Sequence, residues 1–302
     1  MRLTLLVGVV LCGLTPLFAA DSVVKLDRHE GRVDCLIDGR VFTVFHFDRN
    51  QPKPYFSPVH AADGAVLTRS LESPVDHPHH KGVWLAIDEV NDIKFWAEKG
   101  KIENASVELT VPTGNPATLR AVNHWLGAGG QPVLIETTDY SVYADRMLTC
   151  DVKFATAGKP VVFGDTKEGL FGIRVADTLR GQAGGRIVNA QGLQGEKDCW
   201  GRESEWVDYV GRVGDKSYGV AIFDHPRNFR PARFHVRDYG LFTLSPFGKS
   251  SYTNGRLPED PYWLTPGKTL RLRYGLYVHD GDAPLENTAQ EYAAYLKRTG
   301  ND

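Results

Sequence analysis

What most restricts this chain is how often its apolar runs are cut short. Runs rich in β-branched and aromatic residues recur along its length, each closed by Gly, Pro, Asn or Asp. With 31 Gly and 17 Pro among 302 residues, long helices have little uninterrupted room. Residues 32–37 and 40–47 flank Asp38-Gly39, a two-residue hairpin signal. Residues 133–143 and 146–154 flank Ala144-Asp145 and predict a second hairpin. Further strands are expected at 106–111, 219–223, 233–236, 241–244 and 270–278. The one helix predicted is C-terminal, where Thr288-Ala289-Gln290-Glu291 reads as a capping box and the pattern stops at Gly300. This is an all-β pattern. It predicts a large antiparallel β-sandwich, supersandwich-like, with a short C-terminal helix.

The first twenty residues have a different character. Arg2 precedes an apolar stretch that ends at Phe18-Ala19-Ala20, the tripartite pattern of a cleaved secretory signal. A membrane anchor needs about 20 apolar residues, and Gly13 and Pro16 interrupt this run. The expected organisation is a signal peptide over 1–20 and one β-sandwich domain over 21–302, exported to the periplasm or beyond. A net charge of -2 gives no electrostatic reason to expect nucleic acid or an anionic membrane as partner. Cys35, Cys150 and Cys199 are widely spaced and form no CxxC, so they are expected as buried small hydrophobes.

Chemistry concentrates in two segments. Asp76-His77-Pro78-His79-His80 places three imidazoles within four residues, in a Pro- and Gly-flanked loop entering a strand. On extended backbone His77 and His79 would share one side and His80 the other. Imidazoles suit proton transfer near neutral pH; a divalent metal, if any, would sit on Asp76, His77 and His79, although no cofactor is predicted. The second segment is Asp198-Cys199-Trp200-Gly201-Arg202-Glu203-Ser204-Glu205-Trp206-Val207-Asp208-Tyr209. Aromatic faces stack on sugar rings while carboxylates and Arg bond hydroxyls, so Trp200, Arg202, Trp206 and Asp208 are candidate substrate ligands; the alternative is a strand with Trp inward and charge outward. Glu168, Glu203 and Glu205 are candidate bases beside the acids His77, His79 and His80. Lys53, Arg69, Trp84, His225 and His235 complete the substrate-binding set. Neither a phosphate-binding glycine loop nor a GxSxG elbow is present.

Lys53-Pro54-Tyr55, Asp76-His77-Pro78-His79-His80-Lys81-Gly82-Val83-Trp84, Phe95-Trp96, Lys167-Glu168-Gly169 and residues 200–209 together resemble the bacterial family labelled PmoA-like, or methane oxygenase-like. The membrane subunit of methane monooxygenase is helical and membrane-spanning. No such span follows residue 20, so methane oxidation is not expected. More distantly, the pattern is similar to galactose-mutarotase-like supersandwich proteins. That likeness implies a histidine from residues 77–80 as acid and a distant carboxylate (Glu168, Glu203 or Glu205) as base. The leading expectation is an exported carbohydrate-active enzyme performing epimerisation, elimination or hydrolysis. The alternatives are a non-catalytic glycan-binding module and a metal-dependent enzyme with a His-rich site.

Overall fold

The computed structural model describes residues 22–72, 76–281 and 284–300. The predicted signal peptide therefore lies outside the described residues. Among the described residues, two large antiparallel sheets carry the fold. One has nine strands, in the order Arg233–Val236, Leu241–Ser245, Phe171–Arg174, Val83–Leu85, Tyr55–Val59, Arg40–His46, Arg32–Ile37, Val24–His29 and Thr113–Gly114. The other has eight: Arg186–Asn189, Trp206–Val213, Lys216–Asp224, Thr269–Asp280, Met147–Thr156, Pro132–Val142, Ala117–Leu126 and Lys101–Val111. A small third sheet joins Tyr262–Leu264, Val161–Phe163, Glu89–Val90 and Ile93–Lys94.

The predicted hairpins form for the expected reason. At Asp38-Gly39 both residues adopt positive φ (48° and 76°), the twist a two-residue connection between right-twisted strands requires. The second hairpin pairs Leu134 through Val142 with Thr156 through Leu148.

The two sheets meet through aromatic rings. Tyr140 of the eight-stranded sheet packs 4.9 Å from Phe56 of the nine-stranded one, Tyr274 stacks on Phe171 at 5.7 Å, and Tyr209 lies 5.9 Å from Phe242. Strands at the edge of this core alternate, as in Ala117–Leu126, where every second residue is buried. Trp206–Val213 and Leu241–Ser245 are instead buried on both faces almost throughout, so each has a second cover.

On the eight-stranded sheet that cover is the helix Leu285–Thr299. Its Tyr295 is fully buried beside Met147, Trp206, Ala221 and Phe223. The expected start at Thr288 is corrected: the helix is capped at Pro284 and Thr288 lies inside it, donating to the Asp208 carboxylate at 3.3 Å. The Thr288 hydroxyl serves the Asp208 carboxylate instead of a cap. Cys35, Cys150 and Cys199 are free and buried, as expected. No helix among the described residues is long and apolar enough to cross a membrane.

Candidate functional site

The second face of the nine-stranded sheet carries the chemistry. Register places His235 opposite Thr243, Thr243 opposite Gly172, Gly172 opposite Trp84 and Trp84 opposite Tyr55. Neighbours across a sheet share a face, so these five residues form a transverse row. Their chain neighbours Phe56, Val83, Ile173 and Phe242 point the other way, into the core. Arg174, two residues beyond Gly172, emerges on the same face as the row.

The His-bearing loop folds down onto this row. The His80 ring stacks over Trp84 (5.4 Å, 17°), and Trp96 tilts against both rings. Gly82 lets the loop pass so close: its φ is +56°, and a Cβ there would lie 2.0 Å from the Phe56 carbonyl oxygen. The alternation expected for residues 77–80 fails because this segment is a turn. The His80 amide donates to the His77 carbonyl at 2.9 Å, and His77 has a left-handed φ of +38°. All three imidazoles therefore gather on one side. His77 stacks on His80 at 4.7 Å, and His79 stands edge-on to His80 at 4.5 Å.

Two buried cations hold the loop. Arg69 donates to the carbonyls of Asp76 (2.9 Å), His77 (2.9 Å) and His80 (3.3 Å) and to the Asp76 carboxylate, which Arg174 also bonds at 3.1 Å through both oxygens. Lys53 donates to the His79 carbonyl at 2.7 Å and to Glu98 at 2.6 Å, with its ammonium 5.7 Å from the Trp84 ring centre. Lys53 and Arg69, expected from sequence among the substrate ligands, are thus buried and hold the loop. Burial holds Lys53 at about 8, below an ordinary lysine, against the pull of Glu98.

Glu168 arrives from the other side. The Asp88 amide donates to its carbonyl at 3.0 Å, and its Oε2 lies 3.6 Å from His235 Nδ1. That nitrogen donates to the Lys167 carbonyl at 3.0 Å. Burial pushes His235 down to about 3, so the contact with Glu168 is not an ion pair at neutral pH. Burial raises Glu168 above the usual carboxylate range, with Asp88 adding in the same direction. Trp200 stands edge-on to His235 at 6.0 Å under the Arg237 guanidinium, 5.8 Å from its ring centre.

Tyr239 joins the two halves. It stacks on His77 at 5.2 Å with Arg174 over its ring at 4.7 Å, and it lies within the field of Glu168 and of Arg237. One continuous face therefore contains His79, His77, Tyr239, Arg237, Trp200, His235 and Glu168. Burial takes His79 down to about 4, aided by Lys53, and takes His80 lower still. His79 is half-buried and His77 exposed, whereas His80 is 1% exposed and serves as packing.

The remaining candidates separate from this face. Trp206 is core beneath the helix, and Asp208 bonds His279 at 3.0 Å on the eight-stranded sheet. Glu203 is paired with Arg233 at 2.6 Å. Together with Glu205, Asp224, His225 and Tyr292 it lines a separate hollow of about 310 Å³. His225 accepts from the Arg227 amide at 3.1 Å, and Arg202 is exposed beside Glu203. The strand that begins at Trp206 is the reason: it leaves the loop at Trp200 and enters the opposite sheet. Among the described residues no three His, Cys, Asp or Glu side chains converge as a metal-ligand set, Asp76, His77 and His79 included. Sequence reasoning missed Arg174, Arg237, Tyr239 and Glu98. For Arg174 the signal was available: a lone cation closing the apolar run Phe171-Gly172-Ile173 has to find a buried partner.

Three solved structures are similar at low identity. The alpha-N-acetylgalactosaminidase NagBb from Bifidobacterium bifidum is 13% identical, with a TM-score of 0.42 over 86% of this chain and 38% of that one. The galactose 1-epimerase from Lactobacillus acidophilus is 8% identical, with a TM-score of 0.41 over 86% and 98%. The GalM/aldose epimerase homologue from C. elegans is 8% identical, with a TM-score of 0.39 over 86% and 100%. This chain thus spans little more than a third of the galactosaminidase. No curated protein matches. Over residues 32–294 the sequence matches DUF6807, and the chain belongs to that family of unknown function.

Proposed function

We propose that this face binds a sugar or glycoside and moves protons on it, with His79 and Glu168 as the working pair and Trp200 as the stacking platform. The observation that carries the reading is the convergence, on one sheet face, of the 77–80 loop with Glu168 and Trp200, segments separated by roughly a third of the chain. The electrostatics reverse the division of labour expected from sequence. Burial keeps His79 neutral at neutral pH, at about 4, and shifts Glu168 toward its protonated form. Epimerisation, elimination and glycoside hydrolysis each use an acid and a base on the sugar, hydrolysis with water as the second reactant. The protein would meet its substrate outside the cytoplasm if the leader predicted over residues 1–20 is cleaved.

The test is turnover on a panel of glycosides and free sugars by wild type, His79→Asn and Glu168→Gln. Loss of about a hundredfold or more in both, with unchanged melting temperature, supports the pair. Ligand binding without any product, unaffected by either substitution, would replace it with the glycan-binding module.

A further inference from the structure

The backbone on both sides of Glu168 is held by side chains from distant parts of the chain. The Lys167 carbonyl accepts from the Tyr252 hydroxyl as well as from His235 Nδ1. The Gly169 carbonyl accepts from Thr243 Oγ1 at 3.0 Å, and the Glu168 carbonyl takes the Asp88 amide. The Glu168 carboxyl, by contrast, makes no hydrogen bond among the described residues; its contact with His235 is at 3.6 Å. Nothing at the tip of the side chain therefore fixes it. Its place on the face is set through the peptide groups that carry it.

Tyr252 holds those groups from the far side. It ends the short helix Lys249–Tyr252 and is 3% exposed. That helix interlocks with the segment leading to Glu168. Asp165 accepts from the amides of Ser250 at 3.0 Å and Ser251 at 3.1 Å, and the Ser251 hydroxyl donates back to the Asp165 carbonyl at 2.8 Å. The two segments run so close that a Cβ on Gly248 would lie 2.2 Å from the Thr166 carbonyl oxygen. The Tyr252 ring also lies 5.5 Å from Trp200 and 6.1 Å from His235. One buried side chain thus packs on the proposed stacking platform with its ring and grips the backbone before Glu168 with its hydroxyl.

We infer that Tyr252 is a positioning residue for Glu168: through the Lys167 carbonyl, its hydroxyl keeps the carboxyl in its buried place on the face, in register with Trp200. A peptide group is planar, so pinning the Lys167 carbonyl fixes the plane that enters Glu168. Without that donor the carboxyl can swing toward water, because no bond of its own resists. The inference rests on the role given to Glu168 above and adds the residue that holds it there.

Carbon-13 NMR of the Glu168 carboxyl, assigned by its loss in Glu168→Gln, tests the inference between about pH 3 and 8. The charges facing this carboxyl, on Lys167, Asp88, Arg237 and Lys94, are the same in Tyr252→Phe, as are the rings of His235 and Tyr239. Tyr252→Phe should move the Glu168 titration down toward the ordinary carboxylate range, since the group gains water. Tyr274→Phe, which removes a buried hydroxyl without a partner, should leave it in place. On any glycoside or sugar that the wild type turns over, Tyr252→Phe should lower kcat about tenfold with KM little changed. The alkaline limb of its pH profile should move down with the carboxyl. A Glu168 titration unmoved in Tyr252→Phe, or moved equally in Tyr274→Phe, would overturn the inference and leave the sugar reading standing. Absence of turnover by the wild type would remove the sugar reading, and the carboxyl titration would still decide whether Tyr252 positions Glu168.

Discussion

The ring of Tyr239 lies parallel to that of His77, with centroids 5.2 Å apart and planes within 2°. The two residues are far apart in sequence, and their contact joins the His-bearing loop to the Glu168 half of the face. Tyr239 also carries the Arg174 guanidinium over its ring, so it fixes a histidine whose backbone is in the left-handed region. Tyr239→Ala should loosen His77 and weaken ligand affinity, whereas Tyr239→Phe should preserve both. A titration with each variant, beside a thermal melt, separates a stacking role from a role of the hydroxyl.

Turnover should follow a bell-shaped pH profile with an asymmetric origin. On the acid side, activity should fall as pH drops through about 4, where His79 gains a proton and can no longer accept one. On the alkaline side, it should fall as pH rises through the raised value of Glu168, where the donor is lost. Glu168→Gln should abolish activity across the range, and an unchanged alkaline limb in any residual activity would remove Glu168 from the role.

Lys53→Met should cost about 2–3 kcal/mol, the range for losing charge-assisted hydrogen bonds to partly buried partners. It strips a donor from the His79 carbonyl and from Glu98. It also removes a positive charge beside the His79 imidazole, so that imidazole should titrate above about 4. Histidine proton shifts followed by NMR across pH 3–7 read the change directly.

The two tryptophans that looked alike in sequence should behave differently. Trp206→Ala empties a core position beneath the C-terminal helix and should cost about 3–5 kcal/mol. Trp200→Ala, half-buried on the candidate face, should lose ligand affinity with a smaller change in stability. Urea unfolding and ligand titration on both variants give the comparison.

The His279–Asp208 pair under the helix predicts a pH-dependent stability. Burial opposes charge on His279, but the Asp208 hydrogen bond outweighs it and raises the imidazole above its ordinary value. A raised folded value means that the contribution is complete below about 6.5 and is lost as pH rises through that folded value. Denaturation midpoints should decline over that interval, and His279→Gln should flatten the decline.

Gly172 tests the row itself. A Cβ there would lie 2.2 Å from Thr243 Cγ2 and 2.5 Å from the Phe242 carbonyl oxygen. Gly172→Ala should therefore cost about 1–3 kcal/mol, as overpacking does, and disturb the floor between Trp84 and Thr243.

The sequence by itself determined the β-sheet class, the hairpin at Asp38-Gly39 and strands such as Pro132–Val142, because turn chemistry and period-two burial are local properties of the chain. It also singled out the 77–80 histidines and Glu168 by residue type. What only the tertiary structure decided was membership of the face. Glu203, Glu205, Trp206 and Asp208 share one segment with Trp200, yet the chain crosses to the second sheet within that segment and leaves them elsewhere. Arg174 and Tyr239, unremarkable in sequence, belong to it because antiparallel register sets strands far apart in the chain side by side. Burial then lowered the titration of His79, beside Lys53 and against Trp96, and only the fold brings those neighbours to it.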